Sequence, residues 1–355
     1  MHVSTELPEI CEESRRKAQD RNQRLTKPSG SLGRLEELAI WFAGVRGTQQ
    51  YSVPIRGAML VFASDHGVTE EGISAYPKTV TQAMVENMLR GGAAINQLCK
   101  ANRLLMYLVD LGVDGHITAT STRSSVNFLS RKIRKSTSNL RYEPAMTLEE
   151  HLQAMDVGRE MAEKAIDTGV EVICLGEIGI GNTTPASALT AWFTGAPVDH
   201  VTGMGTGIDE GTRRLKEVVI LDALERTRAL NTTDVQAAIC SLGGFEFSAM
   251  IGAMITAARW RVPVMLDGFL TNAAALAAQA IQPRITEFLL ASHGSAEPGA
   301  SVALKKLELE PILNFGLRLG EGTGAALGFG ILQQALLLHR QMATFEEAAV
   351  PDKLG

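Results

Sequence analysis

Four segments of this chain place glycines beside acids or hydroxyls where an apolar run gives way to a predicted helix. They span residues 62–68, 175–185, 203–207 and 317–326. Glycine-rich turns of this kind leave backbone N–H groups free to face an anion, and an acid held there can exchange protons. The pattern therefore predicts acid–base chemistry on a small anionic molecule.

The second and third turns are the candidates for binding the anion. Three glycines precede Asn182 in the second turn, and Pro185 follows near the first helical position, which is typical of a helix start. Capping alone does not require three glycines, so anion binding at the helix N-terminus is favoured over an ordinary capped turn. The third turn contains Gly205 and is followed by Lys216, whose ammonium group could contact a phosphate or simply face solvent.

The fourth turn holds Glu321 between two glycines. A carboxylate repels phosphate, so this turn would be a poor phosphate cradle. At the C-terminal edge of a sheet, partial burial would raise the pKa of the carboxyl group toward the range of a general base. The same carboxylate could instead cap the following helix, and the residues alone leave both roles open.

The first turn contains Asp65 and His66, which could bind a metal or form part of a proton relay. One such pair supplies too few ligands for a metal, and no second histidine follows at helical spacing. A hydrogen-bonded turn near the site is the favoured interpretation. The motifs of P-loop hydrolases, esterases and zinc proteases do not occur, so the sequence predicts neither a metal nor a cofactor.

Composition narrows the class of protein further. The 355 residues are 45% hydrophobic and 5% aromatic, with a net charge of −5, which indicates a globular protein and argues against a nucleic-acid partner. The four cysteines lie far apart without a CxxC pair, which favours a reducing cytoplasm. The first residues carry acids and no apolar stretch, and no uncharged apolar run is long enough to span a membrane.

Short apolar runs alternate with longer amphipathic ones from about residue 56 onward. Strands are predicted at 58–63, 104–109, 170–175, 263–266, 287–291 and 312–319. Helices are predicted at 8–25, 35–42, 80–97, 148–165, 185–193, 213–230, 247–260, 272–280, 299–307 and 325–339. This alternation predicts an α/β fold with a parallel sheet covered on both faces, which binds ligands at the C-terminal ends of its strands. The basic segment 131–141 is predicted to be a solvated loop or edge strand, and 342–355 a loosely ordered tail.

The same segments, taken in order with several others, resemble one family. They are 27–36 (KPSGSLGRLE), 65–68 (DHGV), 77–78 (PK), 144–147 (PAMT), 176–185 (GEIGIGNTTP), 243–246 (GGFE), 266–269 (LDGF), 292–293 (SH), 295–297 (SAE) and 318–326 (RLGEGTGAA). The chain resembles the nicotinate-nucleotide–dimethylbenzimidazole phosphoribosyltransferases, the CobT family, over nearly its whole length.

The resemblance implies a reaction and an architecture. Nicotinate mononucleotide would donate its 5-phosphoribosyl group to a nitrogen of a benzimidazole-type base in cobalamin lower-loop assembly. Nicotinate would leave, and inversion at C1′ would give an α-riboside phosphate. No metal is implied, because the donor already carries a cationic leaving group. The resemblance further implies a Rossmann-like large domain (51–334), a small all-helical domain from both termini (1–50 and 335–355), and a homodimer.

The resemblance also assigns roles to residues. Glu321 maps onto the general base, and Glu177 becomes a second acid that orients the base or supports Glu321. The candidates for the nucleotide phosphate and ribose are Gly179, Asn182, Gly205 and Lys216. The acceptor-base pocket would contain Tyr76, Met84, Ile178 and Leu319.

Two pocket positions depart from the family pattern. Tyr76 and Met84 stand where typical dimethylbenzimidazole-using members carry serine and glutamine. The acceptor therefore stays open between 5,6-dimethylbenzimidazole, another benzimidazole, a purine and a phenol. A ribohydrolase, a transferase that uses phosphoribosyl pyrophosphate, and a catalytically idle binder of azoles or corrinoid precursors are the alternatives. The chain lacks the aspartate cluster of the first and the pyrophosphate loop of the second, and the intact turn at Glu321 argues against the third.

Overall fold

A six-stranded parallel sheet forms the centre of the molecule. A computed structural model describes residues 6–117, 125–205, 207–230 and 234–351. The strands are β1 (Gly57–Ser64), β2 (Leu105–Gly112), β3 (Val126–Ser130), β4 (Val172–Ile178), β5 (Val264–Leu266) and β6 (Leu289–Ala291). Their order across the sheet is β3-β2-β1-β4-β5-β6, so the chain reverses direction across the sheet between β1 and β4. This is the Rossmann-type order, and the predicted α/β fold is confirmed.

Thirteen α-helices lie within the described ranges. They are α1 (Glu12–Arg24), α2 (Arg34–Arg46), α3 (Thr79–Leu89), α4 (Ala94–Asn102), α5 (Leu148–Asp167), α6 (Thr183–Thr194), α7 (Val198–Val201), α8 (Glu210–Ala229), α9 (Val235–Leu242), α10 (Phe245–Arg259), α11 (Phe269–Ile281), α12 (Pro298–Leu307) and α13 (Thr323–Gln341). Where the chain is described, none of them is both long and apolar enough to cross a membrane.

The helices cover both faces of the sheet, as near-continuous apolar strands require. All eight residues of β1 are buried. Ala58, Leu60 and Phe62 pack into a core shared with α5, α6 and α8–α12. The alternate residues Met59, Val61 and Ala63 pack into a second core, shared with α2, α3, α4 and α13.

The helices near the two ends of the chain pack together. The guanidinium of Arg21 in α1 donates hydrogen bonds to the carbonyls of His339, Arg340 and Met342 at the end of α13. Leu25 pairs with Thr344 in an isolated antiparallel bridge. The prediction of a loose tail is therefore wrong for residues 342–351. The boundaries of the terminal domain stay a prediction, and its residues 1–5 and 352–355 lie outside the described part of the chain.

Three other element predictions need correction. The helix predicted at 80–97 is two helices, α3 and α4, because Gly91 and Gly92 interrupt it. The strand predicted at 312–319 forms only one bridge, between Leu313 and His293. The edge strand β3, and the short helices α7 and α9, were not predicted.

The basic segment after β3 is a loop in which all basic side chains except that of Lys135 form ion pairs with described residues. Arg131 pairs with Glu160, and Lys132 with Asp110. Arg134 and Arg141 likewise pair with Glu150, Glu71 and Asp222. The loop is therefore tied to its neighbours rather than freely solvated.

Candidate active site

One cavity of about 480 Å³ opens at the C-terminal edge of the sheet. Its walls come from the segments that follow β1, β4, β5 and β6, and it spans the point where the strand order reverses. Its volume suits a small-molecule ligand. All ten residues selected from the sequence line it: Tyr76, Met84, Glu177, Ile178, Gly179, Asn182, Gly205, Lys216, Leu319 and Glu321. Their individual roles stay predictions.

Glu321 occupies an unusual backbone position. Its φ is +64°, between Gly320 at +82° and Gly322 at +90°, a run that only flanking glycines make accessible. Its side chain is 3% exposed, and burial raises the pKa of the carboxyl group. The N–H of Ile95 donates to the carboxylate, whereas Oε2 has no partner among the described residues. Oε2 is therefore available to accept a proton.

Asp267, which follows β5, fixes the turn that carries Glu321. Its carboxylate accepts hydrogen bonds from the backbone N–H groups of Gly322 (3.1 Å), Gly324 (2.7 Å) and Ala325 (3.1 Å). These N–H groups belong to the start of α13, where an anion is favoured by the helix dipole. Burial nevertheless raises the pKa of Asp267 to about 7.

Glu177, at the end of β4, is a fully buried carboxyl group that lies among other acids. Burial raises its pKa well above the usual value, and the nearby Asp267, Glu246 and Glu321 raise it further. The side-chain amide of Asn182 donates a hydrogen bond to it, which opposes the shift. These surroundings favour the protonated form of Glu177, which can donate its own O–H.

Lys216 lies in α8, and its buried ammonium group contacts the first residue of α6. Its Nζ donates to Thr183 Oγ1 at 2.7 Å, and a Cβ on Gly205 would lie 3.5 Å from the same Nζ. Burial lowers the pKa of Lys216 to about 8, which the carboxylate of Glu297 partly opposes. A mostly charged ammonium beside a helix N-terminus is suited to bind a phosphate. Thr206, in the same glycine turn as Gly205, lies outside the described residues.

The four side chains predicted for the acceptor pocket are partly or largely exposed. Tyr76 is 53% exposed and Leu319 is 60% exposed, so both lie at the mouth of the cavity. Met84 and Ile178 are half-buried. Together they present apolar and aromatic surface to a flat ligand.

Asp65 and His66 lie in a hydrogen-bonded turn, which is the interpretation that the sequence favoured over a metal site. Asp65 Oδ2 accepts from the N–H of Asp114 at 2.8 Å. His66 Nε2 lies 2.7 Å from Glu246 Oε1. In the described portion of the chain, no group of three or more His, Cys, Asp or Glu side chains could hold a metal ion.

Sequence reasoning missed several polar residues of the lining, among them Thr183, Asp267, His293 and Glu297. Three of these four follow strand ends directly or closely, which is the signal that could have found them. The motifs around Asp267, His293 and Glu297 were used for the resemblance, but no role was attached to them.

The geometry combines an anion site with a buried proton acceptor in one cavity. Lys216 and the start of α6 can hold a phosphate, and Glu321 can take a proton from a ligand bound against the apolar lining. Burial raises the pKa of Glu177, and in its protonated form this side chain can donate a hydrogen bond to either ligand. Such a site can join two small molecules by acid–base chemistry.

Comparison with known proteins identifies the family. The chain matches the sequence model of a family described as "Phosphoribosyltransferase" over residues 7–350. The nicotinate-nucleotide–dimethylbenzimidazole phosphoribosyltransferase of Halalkalibacterium halodurans is 42% identical over 326 residues, which cover 92% of this chain and 89% of the relative. The enzyme of that name from Chloroflexus aurantiacus is 44% identical, with 95% and 94% covered.

Solved structures give the same result. The crystal structure of CobT from Thermus thermophilus superposes with a TM-score of 0.90 at 41% identity, and covers 96% of this chain and 100% of its own. Sequence and structure thus agree over almost the entire length. The chain belongs to the nicotinate-nucleotide–dimethylbenzimidazole phosphoribosyltransferase family.

Proposed function

We propose that this enzyme transfers the 5-phosphoribosyl group of nicotinate mononucleotide to 5,6-dimethylbenzimidazole or a related lower-ligand base. The products are α-ribazole 5′-phosphate and nicotinate, in the assembly of the cobalamin nucleotide loop. One observation carries the proposal: a single cavity contains both the buried Lys216 at a helix N-terminus and the buried, partly unpartnered carboxylate of Glu321. The names of the relatives support the same two substrates.

The nucleotide donor binds through its phosphate. Lys216 and the N–H groups at the start of α6 supply positive charge, and Thr183 orients the ammonium group. Gly179, Asn182 and Gly205 line the cavity beside them and contact the phosphate and ribose. A Cβ on Gly205 would lie 3.0 Å from Thr183 Oγ1 and 3.5 Å from Lys216 Nζ, so a side chain at this position would crowd the phosphate.

Glu321 acts as the general base toward the azole. Its carboxylate removes the proton from one ring nitrogen while the lone pair of the other nitrogen forms the new bond to C1′. The bond between C1′ and nicotinate breaks at the same time, and its electron pair returns to the pyridine nitrogen, which becomes neutral. Displacement in line inverts C1′, and the cavity holds the two reacting atoms in near-attack geometry.

Glu177 and Asp267 support this chemistry without taking the proton. Burial favours the protonated form of Glu177, and in that form its O–H donates a hydrogen bond within the cavity. Asp267 holds the turn of Glu321 through its three backbone hydrogen bonds. Tyr76, Met84, Ile178 and Leu319 contact the faces of the acceptor base.

A chromatographic assay tests the proposal. Purified protein is incubated with nicotinate mononucleotide and one base in each reaction. The bases are 5,6-dimethylbenzimidazole, benzimidazole, adenine and a cresol. We expect nicotinate and an α-riboside phosphate in equal amounts, and the preferred base shows what Tyr76 and Met84 select. Release of nicotinate without a riboside would indicate a ribohydrolase. Binding without turnover of any base would indicate an idle binder.

We also propose that the enzyme is a homodimer. Leu215, Val218 and Leu221 are 39%, 46% and 49% exposed along α8, the helix that carries Lys216. An exposed apolar stripe of this kind favours burial against another protein surface. Light scattering should give twice the mass of the 38.1 kDa chain, and Val218→Lys should shift the mass toward that of the monomer. A monomeric wild type would refute the dimer.

For its location we propose the cytoplasm. All four cysteines are free thiols, and Cys99, Cys174 and Cys240 are buried. Thiols that remain unpaired are typical of a reducing compartment. Fractionation of the native host with an antibody against the chain would test this, and enrichment outside the cytoplasmic fraction would contradict it.

A further inference from the structure

A buried pair of side chains lies behind the wall of the active-site cavity. His66 follows β1, Glu246 lies in the first turn of α10, and neither side chain has any exposed area. Their Nε2 and Oε1 atoms are 2.7 Å apart. Neither residue belongs to the cavity lining, but Gly179 and Gly181, which line the cavity, lie against His66.

The glycines around the pair show how closely the wall packs on it. A Cβ on Gly179 would collide with the carbonyl oxygen of Ser64 and lie 3.5 Å from His66 Nε2. A Cβ on Gly244 would lie 2.6 Å from His66 Cε1 and 2.7 Å from Glu246 Oε2. The imidazole ring is thus held between two stretches of backbone, so its position sets how far the wall at Gly179 projects into the cavity.

Because both side chains are buried, each depends on the other for a polar contact. Neither ring nitrogen of His66 and neither carboxylate oxygen of Glu246 has a hydrogen-bond partner of good geometry among the described residues, so the 2.7 Å approach of Nε2 to Oε1 is an electrostatic contact. The Glu246 carboxylate also helps to raise the pKa of Glu177. His66 in turn interacts with the charge of Asp65. Removing either partner leaves a buried polar group unpaired, which the surrounding backbone can relieve only by moving.

We propose that His66 and Glu246 are positioning residues, which fix the wall at Gly179–Gly181 against the bound nucleotide donor. The inference rests on the proposed function, because that function places nicotinate mononucleotide against this wall. A positioning role differs from a purely structural one in its effect on the donor. The structural role would change stability and the fraction of folded enzyme, whereas the positioning role changes donor affinity in the enzyme that is folded.

Steady-state kinetics of two variants test this proposal. Glu246→Gln removes the charge but keeps the volume, and His66→Gln removes the ring. With the base held at saturation, each variant should raise KM for nicotinate mononucleotide by about tenfold while kcat changes by less than about threefold. If Glu246→Gln does not fold, Glu246→Asp withdraws the carboxylate by one methylene and should raise the same KM.

His151 provides a matched control. It is also a fully buried histidine with a hydrogen bond to α10, from Nδ1 to Ser248 Oγ at 2.8 Å, but it does not line the cavity or contact its wall. His151→Gln should lower the melting temperature as much as His66→Gln does and leave KM unchanged. An unchanged KM in the folded His66 and Glu246 variants, or an equal rise in His151→Gln, would overturn the proposal. Failure of the proposed function itself would be distinct, because the wild type would then form no riboside.

Discussion

At the residue scale, the acids of the cavity differ in what surrounds them, and this separates their roles. Asp267 has its oxygens occupied by three backbone N–H groups. Glu177 is pushed toward its protonated form by burial and by three neighbouring acids. Glu321 combines a raised pKa with an oxygen, Oε2, that accepts no hydrogen bond from any described residue. These differences in environment support the proposal that Glu321 is the general base.

The buried ammonium of Lys216 predicts a pH dependence of donor binding. Burial lowers its pKa to about 8, so the free enzyme loses this cation at a lower pH than an exposed lysine would. If the protonated form binds the phosphate, as we propose, kcat/KM for nicotinate mononucleotide should fall as the pH rises through that value. A pH profile of kcat/KM from pH 6 to pH 10 measures the inflection.

Lys216→Arg is the matching variant, because a guanidinium stays charged over this range. Its kcat/KM should be lower than that of the wild type, since the two groups differ in shape, but the decline near the pKa of Lys216 should be absent. The same inflection in both proteins would show that another group titrates there.

Removing the carboxylate of Asp267 should damage both folding and turnover. Asp267→Ala leaves three buried N–H groups near the start of α13 without their acceptor. We expect the free energy of unfolding to fall by about 3 kcal/mol, measured by urea denaturation. In the enzyme that remains folded, kcat should fall at least about tenfold because the turn of Glu321 is no longer fixed.

Asp199→Ala is the control for this experiment, because the side chain of Asp199 is 64% exposed. It should change neither quantity. A folded Asp267→Ala enzyme with the kcat of the wild type would show that the turn holds Glu321 without Asp267.

At the element scale, burial decided which elements the sequence could predict. β1, β2 and β4 are continuous apolar runs that are buried almost throughout, and all three were predicted to within a few residues. β3 is a half-buried edge strand with Asn127 and Ser130, so it lacks that signal. The run at 312–319 has the apolar residues of a strand, but Phe315 and Leu319 are 67% and 60% exposed, and its backbone pairs with β6 only at its start.

The C-terminus of α13 depends on a contact from α1. Arg21→Ala removes the hydrogen bonds of one guanidinium to the carbonyls of His339, Arg340 and Met342. Because a cation at this end also interacts favourably with the helix dipole, the free energy of unfolding should fall by about 1–2 kcal/mol. Activity should not change, since these residues do not line the cavity. Urea denaturation together with the transferase assay measures both quantities.

Lys17→Ala provides the comparison, because the side chain of Lys17 is 60% exposed and pairs only with Glu13 in the same helix. Its effect on stability should be within about 0.5 kcal/mol, as for most exposed pairs. An Arg21→Ala protein that is as stable as Lys17→Ala would mean that the hydrogen bonds from α1 do not stabilise the C-terminus of α13.

At the scale of the whole molecule, the strand order brings the separate turns into one site. The rule that ligands bind at the C-terminal ends of parallel strands was enough to select the turn at Glu177, which follows β4 directly. The turn at Glu321 was selected together with a strand at 312–319 that forms only one bridge. It could not show that β5 lies beside β4, which brings Asp267 to the turn of Glu321. The pairing of His66 with Glu246 was equally hidden, because the two residues are far apart in sequence. The assignment of Glu321 as the base came from the family resemblance, since its residue type alone was also consistent with a cap.

The most direct test of the account is the turnover of Glu321→Gln with nicotinate mononucleotide and the preferred base. The variant keeps the size of the side chain but cannot accept the azole proton. We expect kcat to fall by at least about a hundredfold, as for loss of a general base, while the dissociation constant of nicotinate mononucleotide stays within about twofold of the wild-type value. A kcat close to that of the wild type would contradict the role of Glu321 as the general base.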